Sequence, residues 1–257
     1  MHPTLLSLGL PDILENPEAL GALTNEQLDM LTSVRDEASD ALEAEPTNEE
    51  NIDTVYLAHM TLTSALFLRA LMNDVQPQAL PPAAVLARSW GGTPLRLVMK
   101  EDLANMLVPT ATIEMLTKAG LPEAAEPELV FDEKPVRLLS VMETLEDFDE
   151  PTDEFFGSYW RVGQTAYGDA ICVDERADGV VVCLDLDWGF YAQQFVNTSL
   201  GHLLLCLEAW RALEADPSDD IDAALEKFER AVERIDPAAL TEGAYWADVL
   251  ESVEDAE

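Results

Sequence analysis

Residues 159–210 read YWRVGQTAYGDAICVDERADGVVVCLDLDWGFYAQQFVNTSLGHLLLCLEAW. Three short apolar runs, residues 159–163, 170–173 and 180–184, are separated by Gly168-Asp169 and Asp178-Gly179. An Asp-Gly pair between apolar runs signals a hairpin, because the matching tight turn needs positive φ at both central positions. These runs therefore pair as strands joined by short turns. Phe195-Val196 then leads into Asn197-Thr198-Ser199, whose side chains suit the free N–H groups at a helix start. Leu200, Leu203, Leu204, Leu207 and Trp210 follow at helical spacing and predict a helix packed on the sheet. Hairpin-linked strands bracketed by helices give an α+β fold with a mixed, mainly antiparallel sheet, and not a βαβ array.

Working upstream, residues 128–131 and 136–140 are further strand candidates. Residues 110–119 read as a helix stopped by Gly120 as a left-handed cap, with Pro122 beyond it. Residues 93–98 alternate as a short strand, and residues 83–90 form an apolar stretch ended by Gly91-Gly92. Downstream, residues 219–234 predict an acidic helix with Ala223, Leu225, Phe228 and Val232 facing inward, before a tail containing Trp246 and Leu250. At the N-terminus, residues 24–45 and 48–73 carry helical periodicity and are broken by Pro46-Thr47-Asn48, which predicts an antiparallel helical hairpin. Its second helix is apolar around much of its circumference and needs cover from the main domain or from a second copy. Three prolines between residues 76 and 82 mark a linker. The expected organisation is a helical region 1–80, an α+β domain 81–215, and a C-terminal acidic helix and tail 216–257.

The chain has 257 residues, with 51 Asp and Glu against 14 Lys and Arg, for a formal charge of -37. That balance excludes a basic nucleic-acid-binding surface. It does not exclude folding, since 48% of residues are hydrophobic and only 25% charged, as in ordinary globular proteins. A charge of this size repels polyanions and steers cationic partners toward the surface. Residues 61–72 are the longest apolar-rich run and are interrupted by Thr63, Ser64 and Arg69, so no membrane span is expected. The start, Met1-His2-Pro3-Thr4, lacks the charged and apolar regions of a secretory leader, and a cytoplasmic location is expected. Cys172, Cys183 and Cys206 lie in apolar stretches without C-x-x-C spacing and read as buried free thiols.

Catalytic signatures are lacking: His2, His59 and His202 are scattered, and no metalloprotease, nucleophile-elbow or phosphate-loop motif occurs. His59 and His202 read as structural imidazoles, and no cofactor or metal is expected. Asp185-Leu186-Asp187, followed by Trp188, places two carboxylates on one face of a strand end. Such a pair is an incidental solvated pair, a contact for a partner's Arg, or a cation ligand. Residues 143–154, ETLEDFDEPTDE, are acid-rich around Leu145 and Phe148. This run is either a solvated loop or a docking loop. In the second case Asp147 and Asp149 pair with basic residues at the rim while Phe148, Phe155 and Phe156 supply anchors that bury.

The segment Arg161-Val162-Gly163, the Gly168-Asp169 turn before Ile171-Cys172-Val173-Asp174, the strand at residues 180–185 and the phrase Phe195-Val196-Asn197-Thr198-Ser199-Leu200 together resemble the SUKH superfamily of bacterial immunity proteins, and most of all its SUKH-4 branch. Residues 112–122 and 129–131 are similar to that family's entry into its sheet. The resemblance covers residues 84–215. It implies an α+β fold, no enzymatic activity, and neutralisation of a bacterial toxin by binding. Joined to the charge, it points to a basic, nuclease-like effector as partner, with the chain acting as a monomer or as a homodimer through its N-terminal helices. The alternative is a general interaction or scaffold module of the same fold.

Overall fold

The two hairpin signals place Tyr159–Thr165, Ala170–Asp174 and Val180–Leu184 side by side in antiparallel ladders, with Trp160 opposite Val173 and Val173 opposite Val181. The computed structural model describes residues 78–91, 93–142, 156–186, 193–215, 221–241 and 243–254. The N-terminal helices expected at 24–45 and 48–73 lie outside the described residues. All described residues except Gln193 belong to one compact unit, residues 76–190 with 194–257.

In chain order the strands are β1 (Leu95–Arg96), β2 (Leu121–Pro122), β3 (Ala124–Ala125), β4 (Leu129–Arg137), β5 (Tyr159–Thr165), β6 (Ala170–Asp174), β7 (Val180–Leu184) and β8 (Gln193–Asn197). β1 and β2 form a separate ladder, while β3 to β8 form a six-stranded sheet in which spatial order equals chain order. The β6–β7 turn has φ of 52° at Asp178 and 81° at Gly179, and Val180 N donates to Ala177 O at 3.1 Å. Those are the positive angles that an Asp-Gly hairpin turn requires. Every residue of β6 and β7 is buried, so both faces of the sheet centre are covered.

The helices are α1 (Ala83–Ser89), α2 (Thr110–Glu114), α3 (Leu138–Met142), α4 (Leu200–Glu214), α5 (Ile221–Ile235) and α6 (Tyr245–Glu254). Ser199 caps α4, its hydroxyl accepting from His202 N. Leu200, Leu203, Leu204, Leu207 and Trp210 are all buried, as their spacing predicts. Trp210 meets Phe228 of α5 edge-on at 5.0 Å, and Phe228 meets Trp246 of α6 at 5.5 Å. The C-terminal helices are thus held to α4 by an aromatic cluster, each pair adding about 0.5–1.5 kcal/mol beyond area burial.

A polar network lies beside that cluster. Asp236, fully buried after α5, accepts at Oδ2 from Asn197 Nδ2 at 2.9 Å, Thr198 N at 2.7 Å and Thr198 Oγ1 at 3.2 Å. Asn197 Oδ1 in turn accepts from Trp246 Nε1 at 2.9 Å. The end of β8, the start of α4, the exit from α5 and the interior of α6 therefore share one set of bonds.

Four local expectations need correction. The candidates at 128–131 and 136–140 are one strand, β4, which passes Pro135 with a register shift between Phe131 and Val136 and becomes helical at Leu138. A proline without an N–H interrupts the ladder without ending the strand. Residues 193–197, which open with Gln193-Gln194 and so hide any apolar pattern, form β8 and not merely a lead into the helix. Helix α2 widens into a π turn at Met115–Ala119, and Gly120 ends it with positive φ as expected, although φ 85° with ψ −178° lies outside the left-handed helical region. A Cβ on Gly120 would lie 2.4 Å from Arg96 O, so the approach of β1 as well as the positive φ demands glycine. Finally, Ala223 is exposed and Ala224 takes the buried position on α5.

Asp236→Ala is expected to lower the unfolding free energy by roughly 3 kcal/mol, because it leaves the buried Asn197 donor and the half-buried Thr198 donors unsatisfied at ~1–3 kcal/mol each. Urea unfolding followed by tryptophan fluorescence measures this; a loss well below ~1 kcal/mol would show that the network is dispensable.

Candidate partner-binding surface

The register between β4 and β5 sets Arg137 directly opposite Trp160. The guanidinium carbon stands 4.2 Å from the indole centroid, a cation–π contact. Glu175, one residue beyond β6, closes the group: its carboxylate accepts from Trp160 Nε1 at 2.6 Å and from Arg137 Nη1 at 3.0 Å. Arg137 also donates to Gly157 O. The Glu175 side chain is only 11% exposed, so these charge-assisted bonds are little screened by water.

This cluster helps to hold the segment before Leu107, whose Leu103 and Met106 are buried. Glu175 Oε1 accepts from Leu107 N at 2.5 Å, and Arg137 Nη2 lies 3.4 Å from Asn105 O. The Leu107 side chain, on a backbone fixed this way, is 77% exposed. Farther upstream, Val98 is buried and its N–H donates to Leu116 O at 3.0 Å, which turns the flanking Leu97 and Met99 outward at 58% and 65% exposure. Between them and Leu107 sits a short 3-10 turn, Lys100–Leu103, tied to β4 by Lys134 Nζ to Asp102 Oδ1 at 2.8 Å. That hydrogen bond, and then the charge of Asp102, raises the pKa of Lys134. The pair is exposed and contributes little to stability. Residues 97–107 thus present three apolar side chains from a backbone held by the sheet. Presenting contact groups on a preorganised segment lowers the ordering cost of binding.

Of the residues singled out in the sequence, Asp147, Phe148, Asp149, Phe155, Asp187 and Trp188 lie outside the described residues. Phe156 is 0% exposed: its ring is part of the protein's own core, and the expectation of a partner anchor there is corrected. Asp185 follows β7 directly and is half-buried. Its neighbourhood is fixed by Asp169 in the β5–β6 turn, whose Oδ1 accepts from Leu186 N at 3.0 Å and whose Oδ2 accepts from Thr165 Oγ1 at 2.9 Å. His202 is buried with both ring nitrogens engaged. Nε2 lies 2.9 Å from Gln78 O, which as a carbonyl accepts, and Nδ1 lies 2.9 and 2.8 Å from the Thr198 and Ser199 hydroxyls. His2 and His59 lie outside the described residues. Cys172, Cys183 and Cys206 are buried free thiols, and burial pushes each pKa up, away from the reactive thiolate. Among the described residues, no group of three His, Cys, Asp or Glu is placed to hold a metal ion, and no helix is long and apolar enough to cross a membrane.

Sequence reasoning missed the Arg137–Trp160–Glu175 cluster and the outward Leu97, Met99 and Leu107. A signal was present only in the placement of Arg137 and Glu175 at strand ends, which has meaning once the register is known.

These features define an α+β protein built on a chain-order sheet with helical cover, presenting rigidly held contact groups. Residues 81–252 match the model of the SUKH-4 immunity protein family, and the chain belongs to that family. The match runs past the segment 84–215 legible as a resemblance and takes in α5 and α6. Neither curated proteins nor solved structures gave a match. Membership in an immunity family implies a toxin as partner.

Removing the carboxylate in Glu175→Ala is expected to speed amide exchange at Leu107 by about tenfold or more, since a hydrogen bond to a charged group contributes ~1.5–3 kcal/mol. Hydrogen exchange by NMR reads this directly; unchanged protection at Leu107 would mean that another contact holds the segment.

Proposed function

We propose that the chain neutralises a basic, nuclease-like toxin by binding it and covering the surface that holds phosphate. The observation that carries this reading is the conjunction of an immunity family with 51 acidic against 14 basic residues. A nuclease needs cationic side chains to hold a phosphate backbone, so an acidic inhibitor is complementary to that same surface. Charge selects the class of target, and a few buried contacts select the individual one.

In this reading Asp147, Phe148, Asp149, Phe155, Asp185, Asp187 and Trp188 supply contacts, joined by the exposed Leu97, Met99 and Leu107. Phe156 is left out because it is buried. Neutralisation needs no chemistry by the chain itself, which acts in the cytoplasm as a stoichiometric, non-enzymatic blocker. The N-terminal helices serve either to cover this domain or to pair two copies.

The test is affinity capture from the native cells at low salt, with the retained proteins identified and challenged at high salt. One stoichiometric basic toxin domain that survives the challenge is the expected result. A mixture of basic proteins that all leave at high salt would mean attraction by charge alone and would overturn the reading. With the toxin in hand, Asp147→Lys/Asp149→Lys is expected to slow association about tenfold at low ionic strength and to flatten its salt dependence. Stopped-flow kinetics measure both, and unchanged rates would remove that loop from the interface.

A further inference from the structure

Helix α5 sorts its charges. Asp222, Glu226 and Glu229 fall at i, i+4 and i+7 and form one stripe, while Lys227, Arg230 and Arg234 fall at i, i+3 and i+7 and form another. Glu226 and Arg230 pair where the stripes adjoin. A helix evolved only for solubility does better with signs interspersed, because like charges three and four residues apart destabilise it.

The acidic stripe borders a groove of ≈ 620 Å³ between α5 and α6. Its floor is apolar: Leu225 is buried, and Leu240, Ala247 and Leu250 are partly open to the groove. Its rim carries Asp222, Glu226 and Glu229 on one side and Glu251 on the other, and none of its lining residues is basic. The basic stripe faces a different concavity, lined by Lys227, Arg230 and Arg234 with Glu233. Across the groove on α6, burial first and then the charge of Glu251 raise the pKa of Asp248, against the hydrogen bond from Gln194. Of the rim carboxylates, Glu226 is met by Arg230, which leaves Asp222, Glu229 and Glu251 to face the groove.

We infer that the α5–α6 groove docks a short basic amphipathic helix of a protein partner, its apolar ridge on Leu225, Leu240 and Leu250 and its Lys or Arg residues against Asp222, Glu229 and Glu251. An apolar floor between two acidic walls is complementary in both respects to such a helix. Asp222 to Glu229 spans about 10 Å at 1.5 Å per residue, so the seat takes roughly two turns. The inference deepens the neutralisation reading and rests on it for the identity of the partner as a toxin.

The test uses the full chain and a fluorescein-labelled helical peptide with Leu along one face and Lys on both flanks, read by fluorescence anisotropy. Asp222→Lys/Glu229→Lys/Glu251→Lys is expected to weaken binding about tenfold or more, whereas the equally charged control Glu123→Lys/Glu128→Lys/Glu133→Lys, exposed and not lining the groove, weakens it less than about threefold. A peptide of the same charge with Leu replaced by Ser should bind the unaltered chain about tenfold more weakly. Equal losses in the two triple variants, or equal binding of the two peptides, would overturn the groove as a site and leave only bulk charge. A toxin bound equally well by the unaltered chain and by the groove variant would overturn the groove while leaving neutralisation standing. Selective peptide binding by a chain that captures no toxin would sustain the groove and overturn the neutralisation reading instead.

Discussion

The buried carboxyl group of Asp236 is the point at which the sheet and the C-terminal helices become one structure. A polar group without water must find partners inside the protein, and Asp236 finds them in Asn197 and Thr198, where β8 ends and α4 begins. Once Asn197 is held there, its oxygen is placed to accept from Trp246 and so fixes α6. The Trp210–Phe228–Trp246 cluster packs against the same junction, but aromatic burial alone tolerates sliding. The polar network tolerates none, since every displacement strands a donor. Packing contributes affinity between the layers and the carboxyl group sets their register.

Cations are scarce in this chain, and several of the described arginines are spent on structure. Arg211 donates to Trp90 O and Thr93 Oγ1, both at 2.9 Å, and stands over the Trp90 ring. Arg96 donates to Phe131 O at 2.7 Å, and Arg161 makes a two-pronged pair with Asp132 at 2.9 and 3.0 Å. Arg211 and Arg161 use the planar fork that distinguishes arginine from lysine. Arg88, Arg176, Arg230 and Arg234 remain exposed, so some positive charge stays at the surface beside the carboxylates of α5 and α6.

Much of the sheet was legible because turns announce themselves locally. Gly168-Asp169 and Asp178-Gly179 mark the ends of β5, β6 and β7 by chemistry confined to two residues, and Ser199 marks the start of α4 in the same way. β8 was not legible, because Gln193 and Gln194 carry no apolar alternation and the strand exists by pairing with β7. β4 read as two strands because Pro135 imitates a terminator whose effect neighbouring strands override. The exposed apolar residues were the least legible part. Phe156 and Leu107 are both large and apolar, and nothing in either residue's neighbourhood in sequence says that the first is buried and the second exposed. The hold on Leu107 comes from Glu175, which meets Arg137 and Trp160 across a ladder, and that is a property of register and not of composition.

Gln78 is stitched at both its backbone groups: its N–H donates to Ile235 O at 3.0 Å, and its carbonyl lies 2.9 Å from His202 Nε2. The first described residue of the domain is therefore completed by some of its last. During synthesis, at about 5–20 residues per second, Gln78 leaves the ribosome long before Ile235 exists to receive it. The domain cannot close cotranslationally from its leading end, and its seam forms only when the final helices emerge. A ribosome that stalls within α5 leaves β8 and α4 without their anchor. The junction of β8 and α4 is then anchored only once Asp236 has left the ribosome.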